Sequence, residues 1–167
     1  DGEHYEGARG LWIESGGEHD YGHHDLLVDG LEIDVRSNVN PLPLIQVEHN
    51  HGSTTITNTR LRSTIESATP IDTRYPTGAA NSGPTAITLE SVDVATTARR
   101  TLAGAAIDVD DRSGSRIQDT AVSLRAGQVT GITVKHSDGV TIADSSVTVE
   151  SGSATPDAEN PTDAGQN

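Results

Sequence analysis

Cysteine, phenylalanine and methionine are absent from this 167-residue chain, and tryptophan (Trp12) and lysine (Lys135) occur once each. Without cysteine there is no disulfide framework, and the redox compartment stays undecided. Without large aromatics to fill irregular space, the core has to come from Val, Ile, Leu and Ala stacked regularly. No stretch of about 18 apolar residues is present, so no membrane span is expected. Basic residues are scarce, 11 against 25 acidic ones, for a net charge of −14. No basic stripe exists to displace counterions, which excludes nucleic acid as a partner. No segment carries an apolar stripe at helical spacing with caps, and no N-x-S/T sequon implies N-glycosylation. The chain begins at Asp1 rather than Met, so it reads as a processed product or a part of something longer.

The acid excess has a physical consequence. A net charge this far from zero keeps a protein soluble through self-repulsion, a lever that halophiles use. Acid excess, near-absence of Lys and a core of small residues together resemble a protein of a salt-saturated, haloarchaeal setting. An ordinary acidic secreted protein is the alternative.

The residues that are present fall into a repeat. "TITNTRLRS" (55–63), "AITLESVDV" (86–94), "RIQDTAVSL" (116–124) and "TIADSSVTV" (141–149) share an apolar anchor, usually an Asn or Asp two positions later, and Leu or Val at five. With Ile56, Ile87, Ile117 and Ile142 as anchors the spacings are 31, 30 and 25 residues, and "LLVDGLEIDV" (26–35) is an imperfect earlier copy anchored on Leu27. A second series precedes the first: "GLWIES" (10–15), "PLIQVEHN" (43–50), "PIDTRY" (70–75), "GAAIDVDD" (104–111) and "GITVKHSD" (131–138). These short alternating runs, separated by Gly, Ser, Asn and Asp, read as strands with turns between them. Short strands recurring at 25–30 residues predict an all-β chain wound as a right-handed parallel β-helix of about five coils, each burying its apolar face only when the next coil stacks on it. A β-sandwich also alternates, but hairpin signals are few. The β-helix domain is expected over 1–150, with 151–167 ("SGSATPDAENPTDAGQN") an irregular polar tail or linker. Asn58, Asp119, Asp144 and Asp29 are read as corner residues whose side-chain oxygens satisfy backbone N–H groups, in preference to a calcium ladder, and Leu89 interrupts their series.

Over residues 10–150, in pattern only, the chain resembles the right-handed parallel β-helix (pectin lyase-like) family that includes pectate lyases, polygalacturonases and phage tailspikes. "DVDD" (108–111) resembles the aspartate cluster of polygalacturonases, which implies Asp108, Asp110 and Asp111 as the catalytic acids of a glycan-cleaving site. The family's Gly-His-Gly and Arg-x-Lys motifs are missing here. A lyase of the family would instead hold calcium on acids and abstract a proton with Arg112 or Lys135. Trimeric tailspikes imply a homo-oligomer.

Stacking the coils would align the turns after the first strand of each. That brings His19, Asp20, His23, His24 and Asp25 beside Glu48, His49 and His51, then Arg74 and Tyr75, then Asp110, Asp111 and Arg112, then Lys135, His136 and Asp138. Such an edge admits three chemistries. His19, His23, His24, His49 and His51 are candidate ligands for a divalent metal, zinc or calcium, although no tight motif appears. Trp12, Tyr21, Arg74, Tyr75, Arg112, Lys135 and His136 are candidate ligand-binding residues for a surface polysaccharide. The plain alternative is a solvated polar edge. The function expected is a non-catalytic structural or recognition module of a cell-surface or virion appendage, outside the cell. Its partners would be a surface polysaccharide and either copies of itself or further domains of a longer chain. The runner-up is a polysaccharide lyase or glycoside hydrolase acting on acidic glycans.

Overall fold

A computed structural model describes residues 10–14, 25–36, 43–48, 52–63, 69–73, 86–97, 105–125 and 130–150. Among them there is no helix, hence none long and apolar enough to cross a membrane. The strands form two sheets. The first contains β1 (Leu11–Glu14), β4 (Ile45–Glu48), β6 (Ile71–Asp72), β8 (Ala105–Asp110) and β11 (Thr130–Lys135), hydrogen-bonded in that order. The second contains β2 (Leu26–Asp29) and β3 (Glu32–Val35) beside β5 (Thr54–Ser63). Next come β7 (Ile87–Thr96), β9 (Arg116–Gln118) with β10 (Ala121–Arg125), and β12 (Thr141–Ala143) with β13 (Ser146–Glu150). Every strand pairing among the described residues is parallel.

Alternation on either side of a single bend explains the core. Ile45, Val47, Ile71, Ile107 and Val109 point inward from the first sheet, and Ile56, Leu61, Leu89, Val94, Ile117 and Val122 from the second. All are buried. Burying one such side chain is worth about 1.5–3 kcal/mol, and the parallel arrangement places like residues directly over one another.

The register corrects the anchors expected from sequence. Ile56 lies opposite Leu89, not Ile87, which pairs with Thr54; Val28, not Leu27, lies opposite Ile56. The column is therefore Val28–Ile56–Leu89–Ile117–Ile142, spaced 28, 33, 28 and 25 residues. Leu89 therefore belongs to the apolar column, and Ser91 takes the corner place that Leu89 was expected to interrupt. The slip is physically natural, because a two-residue shift leaves every side chain on its own face.

With the register corrected, one row takes on a common geometry. Gly30, Asn58, Ser91, Asp119 and Asp144 occupy equivalent positions, and all have left-handed φ, from 48° to 72°. One residue there bends the strand and resets its alternation: Ile56 is buried, Thr57 and Asn58 are not, and Thr59 is buried again. Asn, Asp and Gly tolerate this region best, which is why they recur there. Corner residues were expected at Asn58, Asp119, Asp144 and Asp29; in the first copy the corner is Gly30, one residue later. The residue after the bend supports it. The Thr59 and Thr120 hydroxyls each donate to the carbonyl two residues back at 3.0 Å, and Ser145 does so at 2.8 Å. Ser145 also accepts from the N–H of Thr120 on the adjacent strand.

Residues 105–125 and 130–150 match at a constant offset of 25, from Ala105↔Thr130 to Arg125↔Glu150, with no insertion. Turn geometry repeats with them: Asp111 and His136 have φ 56° and 45°, Gly114 and Gly139 φ 76° and 66°. This lock positions the site described next.

Candidate functional site

Between the inward Ile and Val of the first sheet, the outward positions form a polar row. Gln46, Asp72, Asp108 and Thr133 are register neighbours in sequence from β4 to β11. Each follows an isoleucine of the core column (Ile45, Ile71, Ile107, Ile132), so alternation sends it to the opposite face. Asp72 is buried and Asp108 has no exposed surface at all. Neither carboxylate oxygen of Asp108 completes a hydrogen bond, and the Gln46 Oε1 is likewise buried without one. The Gln46 amide donates instead to Glu48.

Lys135 reaches this row. It lies opposite Asp110 in the register, extends its Nζ to 3.3 Å from Asp108 Oδ1 and stays 40% exposed. Burial raises the Asp108 pKa; attraction to Lys135 opposes the shift, and repulsion from Asp72 and Asp110 adds to it. A buried carboxylate with like charges beside it is a costly group, held by its single ammonium partner.

At the turn beyond, Asp110, Asp111 and His136 each place one ligand-type atom within 4.8 Å of the others. Among the described residues this is the only such group of three. His136 Nδ1 lies 2.7 Å from Asp110 Oδ1. That hydrogen bond, then the charge of Asp110, raises the His136 pKa above its ordinary 6.5. Two carboxylates and an imidazole suit a divalent cation, as does general acid–base work.

Sequence reasoning anticipated part of this assembly. Asp108, Asp110, Asp111, Lys135 and His136 do converge, because the 25-residue offset carries no insertion. Of the three expected acids, Asp110 and Asp111 reach the surface while Asp108 is sealed. Arg112 departs from expectation. Its side chain is fully buried, with Nε donating to the Thr73 carbonyl at 2.7 Å and Nη2 to the Val47 carbonyl at 2.8 Å. It ties β8's turn to two preceding segments instead of being offered to a ligand. Trp12 lies half-exposed on β1, at the far edge of the same sheet. Asp25 accepts from the Ser53 hydroxyl. Asp138 is exposed, and its N–H donates to Ser113 Oγ at 3.0 Å. His19, Asp20, Tyr21, His23, His24, His49, His51, Arg74 and Tyr75 lie outside the described residues. Gln46 and Asp72 were missed, although the recurring Ile-polar pair ("IQ", "ID", "ID", "IT") marks their row.

No protein-family model, curated protein or solved structure matches this chain.

Proposed function

We propose that the chain is a non-catalytic structural or recognition module: a right-handed parallel β-helix of about five coils, in an extracellular appendage of a haloarchaeal cell surface or virion. The observation that carries this reading is the uniform parallel pairing of segments one repeat apart in both sheets. A stack of this kind has its backbone groups paired from layer to layer and makes a stiff, protease-resistant spacer. The net charge of −14 and the single Lys support the high-salt setting. Ile142, Val147 and Val149 on the last strands are about half exposed, which supports a further copy or domain stacked beyond them. The Asp110–Asp111–His136 edge supplies a contact point for a divalent cation or a glycan. Far-ultraviolet circular dichroism during dialysis from molar to low salt tests the setting. Loss of the β spectrum is expected; an unchanged spectrum sinks the halophilic assignment.

The polysaccharide lyase or hydrolase reading draws on one observation, the gathering of Asp110, Asp111 and His136 at the surface. Product release from acidic and neutral polysaccharides in molar salt, with and without calcium and zinc, decides between the two. The module reading expects no turnover. New reducing ends or unsaturated uronate, lost in Asp111→Ala, would replace it with the enzyme.

A further inference from the structure

The two ends of the stack differ from its middle. At one end β1, β2 and β3 pair on one side only, and at the other β11, β12 and β13 do the same. Among the described residues, each end coil therefore offers free strand edges in both sheets, a template for further parallel strands. The last coil also leaves its core columns unfinished. Val134, Ile142, Val147 and Val149 are exposed, whereas the residues they pair with one coil earlier, Val109, Ile117, Val122 and Leu124, are buried. Their place at the end of the stack exposes them, not the direction in which they point.

The first coil supplies what those columns lack. The same columns begin at Ile13, Val28, Ile33 and Val35, all apolar and all packed against or within the core. The cross-sections match as well. Gly10 and Gly131 hold one place in the repeat, and a Cβ on either would collide with the second sheet, at Ile33 in the first coil and at Val147 in the last. Both end coils are thus pinched at the same point. Charge agrees with shape. Arg36 and Glu150 hold one place too, eight residues after Val28 and Ile142. Glu150 lies opposite Arg125 in its own stack. A first coil set beyond it would bring Arg36 to its other side, and the Arg36 side chain, although bonded to Asp34, is 80% exposed. The acids Asp29, Glu32 and Asp34 would meet Ala143, Ser146 and Thr148, none of them charged.

We propose that copies of this chain stack head to tail, the first coil of one continuing the last coil of another, so that Ile33 follows Val147 and Arg36 follows Glu150. This partner deepens the stacked-coil reading above and depends on it. A contact between two different surfaces along the coil axis does not close on itself, so it generates an open fibre rather than a dimer. Each copy contributes the five strands of its first sheet, a rise of about 24 Å at about 4.8 Å per strand. Two first coils set against each other would instead crowd Asp29, Glu32 and Asp34 of both copies. At low salt the net charge of −14 opposes any self-contact. At molar salt the Debye length is about 3 Å, and burial of the unfinished apolar columns governs. Assembly should therefore rise with salt.

Sedimentation velocity and light scattering of the full chain test this, over the range of salt in which circular dichroism is constant, and electron microscopy reads the shape. Unbranched rods are expected, lengthening with protein concentration and with salt, with an axial repeat of about 24 Å. Val149→Lys puts an ammonium into the open end of an inward column, where stacking would bury it unpaired. The variant should not assemble alone, with its spectrum unchanged. Its intact first coil should still cap native rods and shorten them at substoichiometric amounts. Arg36→Glu, on the surface of the opposite end, should raise the concentration needed for assembly severalfold at the lowest salt that sustains it. That variant is read alone should Val149→Lys misfold. Stacking is overturned if the native chain is monomeric at every salt, if it stops at a dimer or trimer, or if Val149→Lys assembles normally or fails to cap. An Arg36→Glu chain that assembles as readily as the native one overturns the register. A monomer that keeps its β spectrum and turns over no glycan would sink the stacking and leave the module reading standing.

Discussion

The outer faces of the two sheets each hold an aspartate beside a cation, and the two pairs behave oppositely. On the first sheet Asp108 is sealed next to Lys135, and its pKa is raised because burial outweighs the partner. On the second sheet Asp34 is exposed next to Arg36, and its pKa is lowered because the hydrogen bond to Arg36 outweighs any burial. The same chemical pair is a strain on the fold in one place and a surface accessory in the other. Solvent, not the presence of a partner, decides which. Charges on the first face should therefore govern stability, and charges on the second should matter little to it.

The sharpest form of that contrast compares two arginines. Arg112 fills the interior and satisfies the carbonyls of Val47 and Thr73. Arg112→Ala leaves both acceptors buried and opens a cavity, so a loss of about 3–5 kcal/mol in denaturant unfolding is expected. Arg62→Ala, on the exposed face of β5, should stay within about 0.5 kcal/mol of the native chain. Equal effects would erase the distinction between the two faces.

The aspartates make a pH prediction. Because the folded chain raises the Asp108 pKa, it holds that proton more tightly than the unfolded chain does. The resulting stability is complete below the ordinary value of 3.8 and is lost as pH rises through the folded value. Asp108→Asn removes that dependence and the repulsion from Asp72. The melting temperature of the variant should exceed the native one near neutral pH, by about 2–4 °C for each kcal/mol relieved, and the gain should vanish in acid. A variant less stable at neutral pH would mean that the Lys135 attraction outweighs burial. Lys135→Met should act the other way, stranding the carboxylate and lowering neutral-pH stability.

At the exposed turn the effect is spectroscopic. His136 titrates above 6.5 because it hydrogen-bonds Asp110. Any stability from the pair is present below 6.5 and lost as pH rises through the raised value. Asp110→Asn should return the His136 NMR titration toward 6.5. In the native chain, zinc should perturb the His136 resonances and Asp111→Ala should weaken that response; no zinc response would leave the trio a hydrogen-bonded turn.

How much of this was legible in the sequence depended on where insertions fall. The all-β, two-series character followed from alternation, and the Asp110–Lys135–His136 cluster from an offset of 25 unbroken by loops. The alignment of Arg36 with Arg125 was not legible: they hold the same place in the repeat, eight residues after Val28 and Ile117, but the misplaced Leu27 and Ile87 anchors hid the spacings that connect them. Burial of Arg112 was hidden for another reason: an arginine in a Ser- and Gly-rich turn reads as solvated, and only the carbonyls it reaches, 39 and 65 residues earlier, reveal otherwise.

The smallest effect concerns the position that misled the register. Ser91 holds φ 54°, where its row elsewhere has Gly, Asn or Asp. Serine gains no local compensation for a left-handed backbone, whereas asparagine is enriched there. Ser91→Asn should therefore raise stability by about 0.5 kcal/mol, read as a shift in the denaturant midpoint with the slope unchanged. Ser91→Val, β-branched and averse to positive φ, should lower it by more than that. If both substitutions were neutral, the bend at Ser91 would not be the strained backbone position that unites the row, and the column through Leu89 would lose its local explanation.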